Sequence, residues 1–150
     1  MFTADHLIQH LKLEQHVEGG YYRETYRSPL TANERSLSTT IYFLLEGDQL
    51  SRFHRLTADE IWFFHYGSPL LVHQIDKTGR LFVQKLGMDF NAGESPQLLI
   101  PAGTIFASET ADKNSFSLVS CMVSPGFEFD DFKLFTKKIF LAPNLRILSR

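Results

Sequence analysis

The sequence predicts a single all-β domain folded as a small barrel, and three observations support this prediction. The length of 150 residues suits one domain. Short segments rich in Ile, Thr and aromatic residues are separated by turn signals about every ten residues, which is typical of sandwiches and barrels rather than βαβ units. The chain also has 14 Phe against one Trp, and the Phe recur along its whole length, as expected if many strands share one aromatic interior.

The segments are predicted in chain order. Thr3 can cap an N-terminal helix with four aliphatic side chains near one face, namely Leu7, Ile8, Leu11 and Leu13. After a break at 16–20, strands are predicted over residues 21–27, 37–45, 49–56, 60–66, 69–76, 80–86, 97–100, 105–108 and 115–123, with a polar loop at 28–35 and a hairpin turn at 77–79. Residues 130–150 predict a short, partly helical C-terminal cover. No internal repeat or linker marks a boundary, so residues 1–150 are expected to form one domain.

Charge and cysteine content exclude several classes of protein. A formal net charge of −2 gives no electrostatic reason to expect nucleic acid binding. The single Cys121 rules out a disulfide within the chain and is expected to be a buried free thiol. No apolar run is long enough to cross a membrane, and residues 1–10 lack the basic cluster of a signal peptide. We therefore expect no membrane partner and a cytoplasmic location.

The stretch from His54 to Gly67 carries the clearest chemical signal. Strand alternation places Glu60, Trp62 and Phe64 on one face. A carboxylate on such a bulky strand needs a partner, because burying it unpaired would cost several kcal/mol or force it to take up a proton. His54, across a short turn, is the natural partner, and His54 and Glu60 are the predicted catalytic residues.

These residues resemble the first motif of the cupin superfamily: His54 and Glu60 stand at the positions of a His and a Glu, with Gly67 at the end. The segment Pro101-Ala102-Gly103-Thr104-Ile105-Phe106 resembles the second motif. Flanking phrases, including Glu18-Gly19-Gly20-Tyr21-Tyr22-Arg23, are similar to the branch called cupin family five. The resemblance implies a cupin-type double-stranded β-helix (jelly-roll) barrel over roughly residues 20–125, a dimer, and no assigned activity.

The sequence departs from the metal-binding pattern at two positions. Leu56 and Phe106 stand where a metal-binding cupin has His. Two remaining ligands, His54 and Glu60, would bind a divalent ion only weakly, since a tight catalytic site usually needs three protein ligands. His73 could supply a third if its strand turns that way. We therefore expect no tightly bound metal cofactor.

Several other residues are predicted to bind a ligand in the barrel. They are Thr40, Tyr42, Leu56, Trp62, His73, Phe106, Ser108 and Arg23. Tyr42 and Thr40 share one face of their strand, and Phe106 and Ser108 share another. Arg23 could meet an anionic group, or it could form a salt bridge instead.

Three functions remain open from the sequence. The pocket could bind a small organic molecule, sugar-like, aromatic or a small acid, and the apolar Leu56 and Phe106 favour this. Alternatively, a His54–Glu60 dyad could make a metal-independent isomerase or epimerase of a sugar-like metabolite. A divalent-metal enzyme is the third alternative. The amphipathic residues 21–27 would leave an exposed edge, so a homodimer through this region is also expected.

Overall fold

The computed structural model describes residues 1–135 and confirms the all-β class. Within that range a helix, α1, spans Ala4–His10, and 3-10 helices span Phe90–Ala92 and Phe129–Asp131. The strands are β1 (Glu14–Gln15), β2 (Tyr21–Arg27), β3 (Thr31–Ala32), β4 (Arg35–Ser36), β5 (Thr39–Glu46), β6 (Leu50–Arg55), β7 (Asp59–Gly67), β8 (Leu70–Ile75), β9 (Leu81–Leu86), β10 (Glu94–Ser95), β11 (Gln97–Ile100), β12 (Ile105–Thr110), β13 (Phe116–Ser124) and β14 (Lys133–Leu134).

The strands form two six-stranded sheets. The first has the order β1-β2-β5-β13-β7-β11 and the second the order β10-β9-β8-β12-β6-β14, while β3 and β4 form a separate ribbon. Neighbouring strands are antiparallel except β9 and β10. The described strands therefore make the double-sheet jelly roll that the sequence predicts, with two facing sheets that do not close into one continuous barrel.

The main core lies between the sheets. Phe43, Trp62 and Phe106 are its largest side chains and are almost fully buried. The Phe residues do not all contribute to this interior, because Phe53 and Phe135 belong to a separate cluster with Ile75 and Ala107. The prediction of one shared aromatic interior is therefore correct for Phe43 and Phe106 and wrong for Phe53 and Phe135.

The predicted N-terminal helix is present and packs on the first sheet. The Thr3 hydroxyl accepts a hydrogen bond from the His6 backbone N–H at 3.2 Å, which caps the helix as expected. Leu7 and Leu13 pack against Leu44 and Leu118. No helix within residues 1–135 is long and apolar enough to cross a membrane.

Two segments differ from the sequence-based prediction. The polar loop at 28–35 contains the β3–β4 ribbon, whose turn residues Asn33 and Glu34 both have positive φ, 52° and 64°. The predicted, partly helical tail begins within the 3-10 helix Phe129–Asp131 and then forms the strand β14, which pairs with β6 and places Leu134 opposite His54. The free edge of β6 offers backbone hydrogen bonds that favour a strand here. Residues 136–150 of the predicted tail lie outside the described residues.

Candidate functional site

A cavity of about 180 Å³ lies between the two sheets. Its lining comes from β2, β5, β7 and β13 of the first sheet, from β6 of the second, and from residues 14–18 and 127–132. Water occupies about 30 Å³ per molecule in the liquid, so a volume of this order can hold several waters or a small organic molecule.

Glu60 reaches the cavity because β7 alternates as predicted. Glu60 and Trp62 are 6% and 1% exposed, whereas Asp59 faces outward and accepts a hydrogen bond from the Ala102 backbone N–H. Glu60 Oε2 is buried and has no hydrogen-bond partner among the described residues. Burial raises the pKa of Glu60 from 4.5 to about 8, an effect that the nearby Trp62 indole and Cys121 thiol partly offset. Glu60 is therefore mainly protonated at neutral pH.

His54 has a fixed tautomer. Its Nδ1 lies 2.6 Å from the Arg52 carbonyl oxygen, which can only accept, so Nδ1 carries a proton. Its Nε2 lies 3.0 Å from Glu18 Oε2. Burial lowers the pKa of His54 to about 4, which favours the neutral ring. The neutral ring presents the Nε2 lone pair to Glu18.

Glu18 is the buried partner of His54. Burial, together with the nearby Glu60, raises the pKa of Glu18 well above its usual value. A protonated Glu18 donates a hydrogen bond to the His54 Nε2 lone pair, which matches both pKa directions. The Glu18–His54 pair is therefore a neutral acid and base sharing one proton, and it is not a salt bridge of full charges.

Glu18 can reach this position because a glycine follows it. Gly19 has φ of 106°, and a Cβ there would lie 2.6 Å from the Leu50 carbonyl oxygen. The Arg52 backbone N–H donates to the Glu18 carbonyl oxygen at 2.7 Å, which fastens this loop to β6. Glycine at position 19 thus allows the close approach that brings Glu18 to His54.

His16 completes the polar side of the cavity. Its Nδ1 accepts a hydrogen bond from the Glu18 backbone N–H at 3.1 Å, and its ring meets the edge of Tyr22. Burial lowers the pKa of His16 to about 4, so the ring is neutral at pH 7. Because Nδ1 accepts, the proton is on Nε2.

Apolar walls and a charged mouth surround these groups. Leu56, Ile41 and Val123 line the walls, with Phe127 and Phe132. Arg27 donates to both Glu24 carboxylate oxygens, to Glu128 and to the Phe127 carbonyl oxygen, at 2.9 to 3.1 Å. These bonds tie β2 to residues 127–128 across the mouth.

Comparison with known proteins agrees with this architecture. Residues 5–135 match the family model Cupin_5, described as cupin superfamily (DUF985). The chain belongs to this cupin family. Protein SO0799 from Shewanella oneidensis has a solved structure with a TM-score of 0.92 and 50% identity, covering 100% of this chain and 99% of that one. The uncharacterised protein YML079W of Saccharomyces cerevisiae is 33% identical in an alignment 148 residues long, which covers 86% of this chain and 73% of that protein.

A more distant likeness concerns the fold alone. An oxalate decarboxylase from Bacillus subtilis has a TM-score of 0.63 at 17% identity, covering 87% of this chain and 32% of that one. The cupin-type jelly roll expected from the sequence motifs is therefore confirmed, while these comparisons name no ligand for this cupin.

The predicted His54–Glu60 dyad is wrong in its pairing. Both side chains line the cavity, but the carboxylate that meets His54 is Glu18. Leu56 also lines the cavity, as expected, whereas Trp62 and Phe106 pack in the core beneath it. The Phe106 ring centroid lies 4.1 Å from that of His54. Ser108 is fully buried on the same face of β12 as Phe106 but does not line the cavity.

Four predicted ligand-binding residues lie elsewhere. On β5 the residues that line the cavity are Thr39 and Ile41, so Thr40 and Tyr42 point to the opposite face. The alternation was predicted correctly and its direction was not.

Arg23 is exposed and lies over the Tyr42 ring, 6.0 Å from its centroid. His73 Nε2 lies 3.1 Å from Glu109 Oε1, away from the cavity lining. His73 therefore lies on the face of β8 that does not reach the cavity, contrary to the prediction.

The side chains do not fit a tightly held metal ion. Within residues 1–135, no three His, Cys, Asp or Glu are arranged to hold one. Both His54 nitrogens are engaged, one with the Arg52 carbonyl and one with Glu18, and the positions of two further imidazoles hold Leu56 and Phe106.

Sequence reasoning missed Glu18 and His16. Both precede β2 in a loop whose contact with β6 is non-local, so strand alternation gives no information about it. The Gly19-Gly20 pair was the available signal, because adjacent glycines after an acidic residue indicate a close backbone approach.

Proposed function

We propose that this cupin binds a small organic molecule in the cavity between its sheets. The observation that carries the proposal is the Glu60 carboxyl, which is buried, faces the cavity and has an oxygen without a hydrogen-bond partner among the described residues. Buried polar groups normally have partners, since an unsatisfied one costs about 1–3 kcal/mol. A ligand group, or water in its absence, would supply that partner.

The form of the cavity supports an organic ligand. Leu56, Ile41 and Val123 offer hydrocarbon contacts, while Glu60, Glu18 and His16 offer a few polar groups on one side. Sites that bind small molecules are mostly apolar with a small number of polar groups that fix orientation.

A thermal-shift screen of a metabolite library tests the proposal. The protein is compared with Ile41→Phe, which fills the cavity, and with Ile61→Phe, a matched control at a half-buried position of β7 outside the lining. A bound ligand raises the apparent stability by mass action. We expect hits that raise the melting temperature of the wild type and of Ile61→Phe but not of Ile41→Phe. Hits that act equally on all three proteins, or no hits, would refute the proposal.

Proton-transfer catalysis is a second candidate, and the tautomer of His54 favours it. Glu18 can pass its proton to His54 Nε2 and then take a proton from a substrate carbon next to a carbonyl group. Glu60, protonated at neutral pH, gives its proton to the carbonyl oxygen. A neutral enol forms, with Glu18 protonated again and Glu60 left as a carboxylate. For a substrate with a hydroxyl on that carbon, Glu60 takes the proton of this second hydroxyl while Glu18 gives its proton to the former carbonyl carbon. His54 then returns its proton to Glu18, which completes an isomerisation with both glutamates protonated again.

Deuterium exchange tests this second candidate separately from binding. In D₂O, a carbonyl-bearing ligand found by the screen should gain deuterium at the adjacent carbon, seen by NMR. Glu18→Gln and Glu60→Gln should each abolish the gain, while Glu34→Gln, at an exposed turn, should not. Binding without exchange in the wild type would leave only the first proposal.

A further inference from the structure

The cavity concentrates carboxyl groups. Five glutamates line it, although the whole chain has a formal charge of only −2. They are Glu14, Glu18, Glu24, Glu60 and Glu128. Arg27 is the one Lys or Arg in the described lining.

Arg27 is already paired within the chain, because four of its five N–H donors are bonded and two carboxylates offset its charge. Its guanidinium bonds both Glu24 oxygens, Glu128 and the Phe127 carbonyl. Among the described residues, Glu14, Glu18 and Glu60 make no ion pair with Lys or Arg. An anionic ligand would therefore meet carboxyl groups without a compensating cation, which is unfavourable in a partly closed site.

Glu60 and the aromatic rings of the cavity also favour a cation. Glu60 is nine-tenths buried, lines the cavity, and its Oε2 has no hydrogen-bond partner among residues 1–135. Four aromatic rings lie around the same space, those of Tyr22, Phe127, Phe129 and Phe132. Aromatic faces attract cations. A cation beside Glu60 also favours the loss of its proton, because a nearby positive charge stabilises the carboxylate and a carboxylate forms its strongest hydrogen bonds with charged donors.

We propose that the ligand of this cavity is a small organic ammonium ion, whose N–H groups bond to Glu60 while its hydrocarbon part packs on the apolar walls. This inference rests on the proposed binding function and names its ligand class. It excludes the small-acid ligand that the sequence left open.

Three probes of similar shape test the charge preference: benzylammonium, benzyl alcohol and benzoate. Their affinities for the full-length protein are measured by titration calorimetry at neutral pH. We expect benzylammonium to bind at least about tenfold more tightly than benzyl alcohol, a difference of about 1.4 kcal/mol, and benzoate to bind least. Equal or tighter binding of benzyl alcohol or benzoate would overturn the inference, and so would no binding of any probe at about 10 mM.

Variants separate the role of Glu60 from general charge. Glu60→Gln keeps the shape of the side chain and should remove most of the benzylammonium preference, with the benzyl alcohol affinity changed less than about twofold. The matched control Glu34→Gln removes an exposed carboxylate outside the cavity and should change neither. An unchanged preference in Glu60→Gln would refute the assignment to this residue.

The ligand class and the binding function can fail separately. A neutral or anionic hit from the metabolite screen that requires an open cavity would overturn only the ammonium inference. A screen in which no compound depends on the cavity would overturn both.

Discussion

Replacing Glu60 with glutamine removes an ionisable group from the cavity and keeps its shape. In the folded protein, burial holds the pKa of Glu60 at about 8, whereas an exposed glutamate has a pKa near 4.5. Between these values the unfolded chain loses its proton at Glu60 while the folded chain keeps it. The unfolded state therefore binds fewer protons, and the stability of the wild type falls as the pH rises from about 4.5 to about 8.

The size of this effect follows from the pKa difference. Each pKa unit corresponds to about 1.4 kcal/mol, so Glu60 alone should lower the free energy of unfolding by about 3 kcal/mol between pH 5 and pH 8. Glutamine does not titrate. The stability of Glu60→Gln relative to the wild type should therefore increase by about that amount over the same range.

Urea unfolding of both proteins at half-unit pH steps measures this difference directly. Glu34→Gln provides the control, because it makes the same substitution at an exposed position outside the cavity. A difference between Glu60→Gln and the wild type that stays constant from pH 5 to pH 8 would show that Glu60 ionises normally in the folded protein. The account of a protonated carboxyl in the cavity would then be wrong.

Three further predictions concern other parts of the molecule. The ¹⁵N shifts of His54 should show a neutral ring with the proton on Nδ1 at pH 7, and an imidazolium at that pH would contradict the neutral Glu18–His54 pair. Gly19→Ala should lower the free energy of unfolding by more than about 1 kcal/mol in urea titrations, because its Cβ would meet the Leu50 carbonyl oxygen at 2.6 Å. Gly79→Ala, with φ of 81° and open space around the Cβ, should cost less, and equal costs would refute the role of close approach. The exposed strand β2 predicts a homodimer, so light scattering should give twice the chain mass, and a monomer would contradict it.

Local patterns predicted the elements well. Alternation on β7 correctly placed Glu60 and Trp62 on one buried face, and turn signals gave the main strands to within a few residues. Such features depend on neighbours along the chain, which the sequence shows directly.

These local patterns could not predict which side chains meet inside the fold. Alternation correctly separated Tyr42 from Ile41, but it could not say which face turned inward, because that choice depends on how the two sheets pack. Glu18 meets His54 through a loop that crosses β6, a contact between residues 36 positions apart. The sequence therefore predicted His54, Glu60 and Leu56 as residues of the cavity, while the partner of His54 required the structure.

Trp62 offers the most direct test of ligand binding in the cavity. It is the chain's single Trp and is fully buried beside Glu60. Its indole N–H therefore gives one isolated ¹H–¹⁵N resonance at the site. Titration with the tightest compound from the metabolite screen should shift this resonance to saturation in the wild type and in Ile61→Phe, and leave it unmoved in Ile41→Phe. A compound that stabilises the protein without moving the Trp62 resonance would place binding elsewhere and contradict the account.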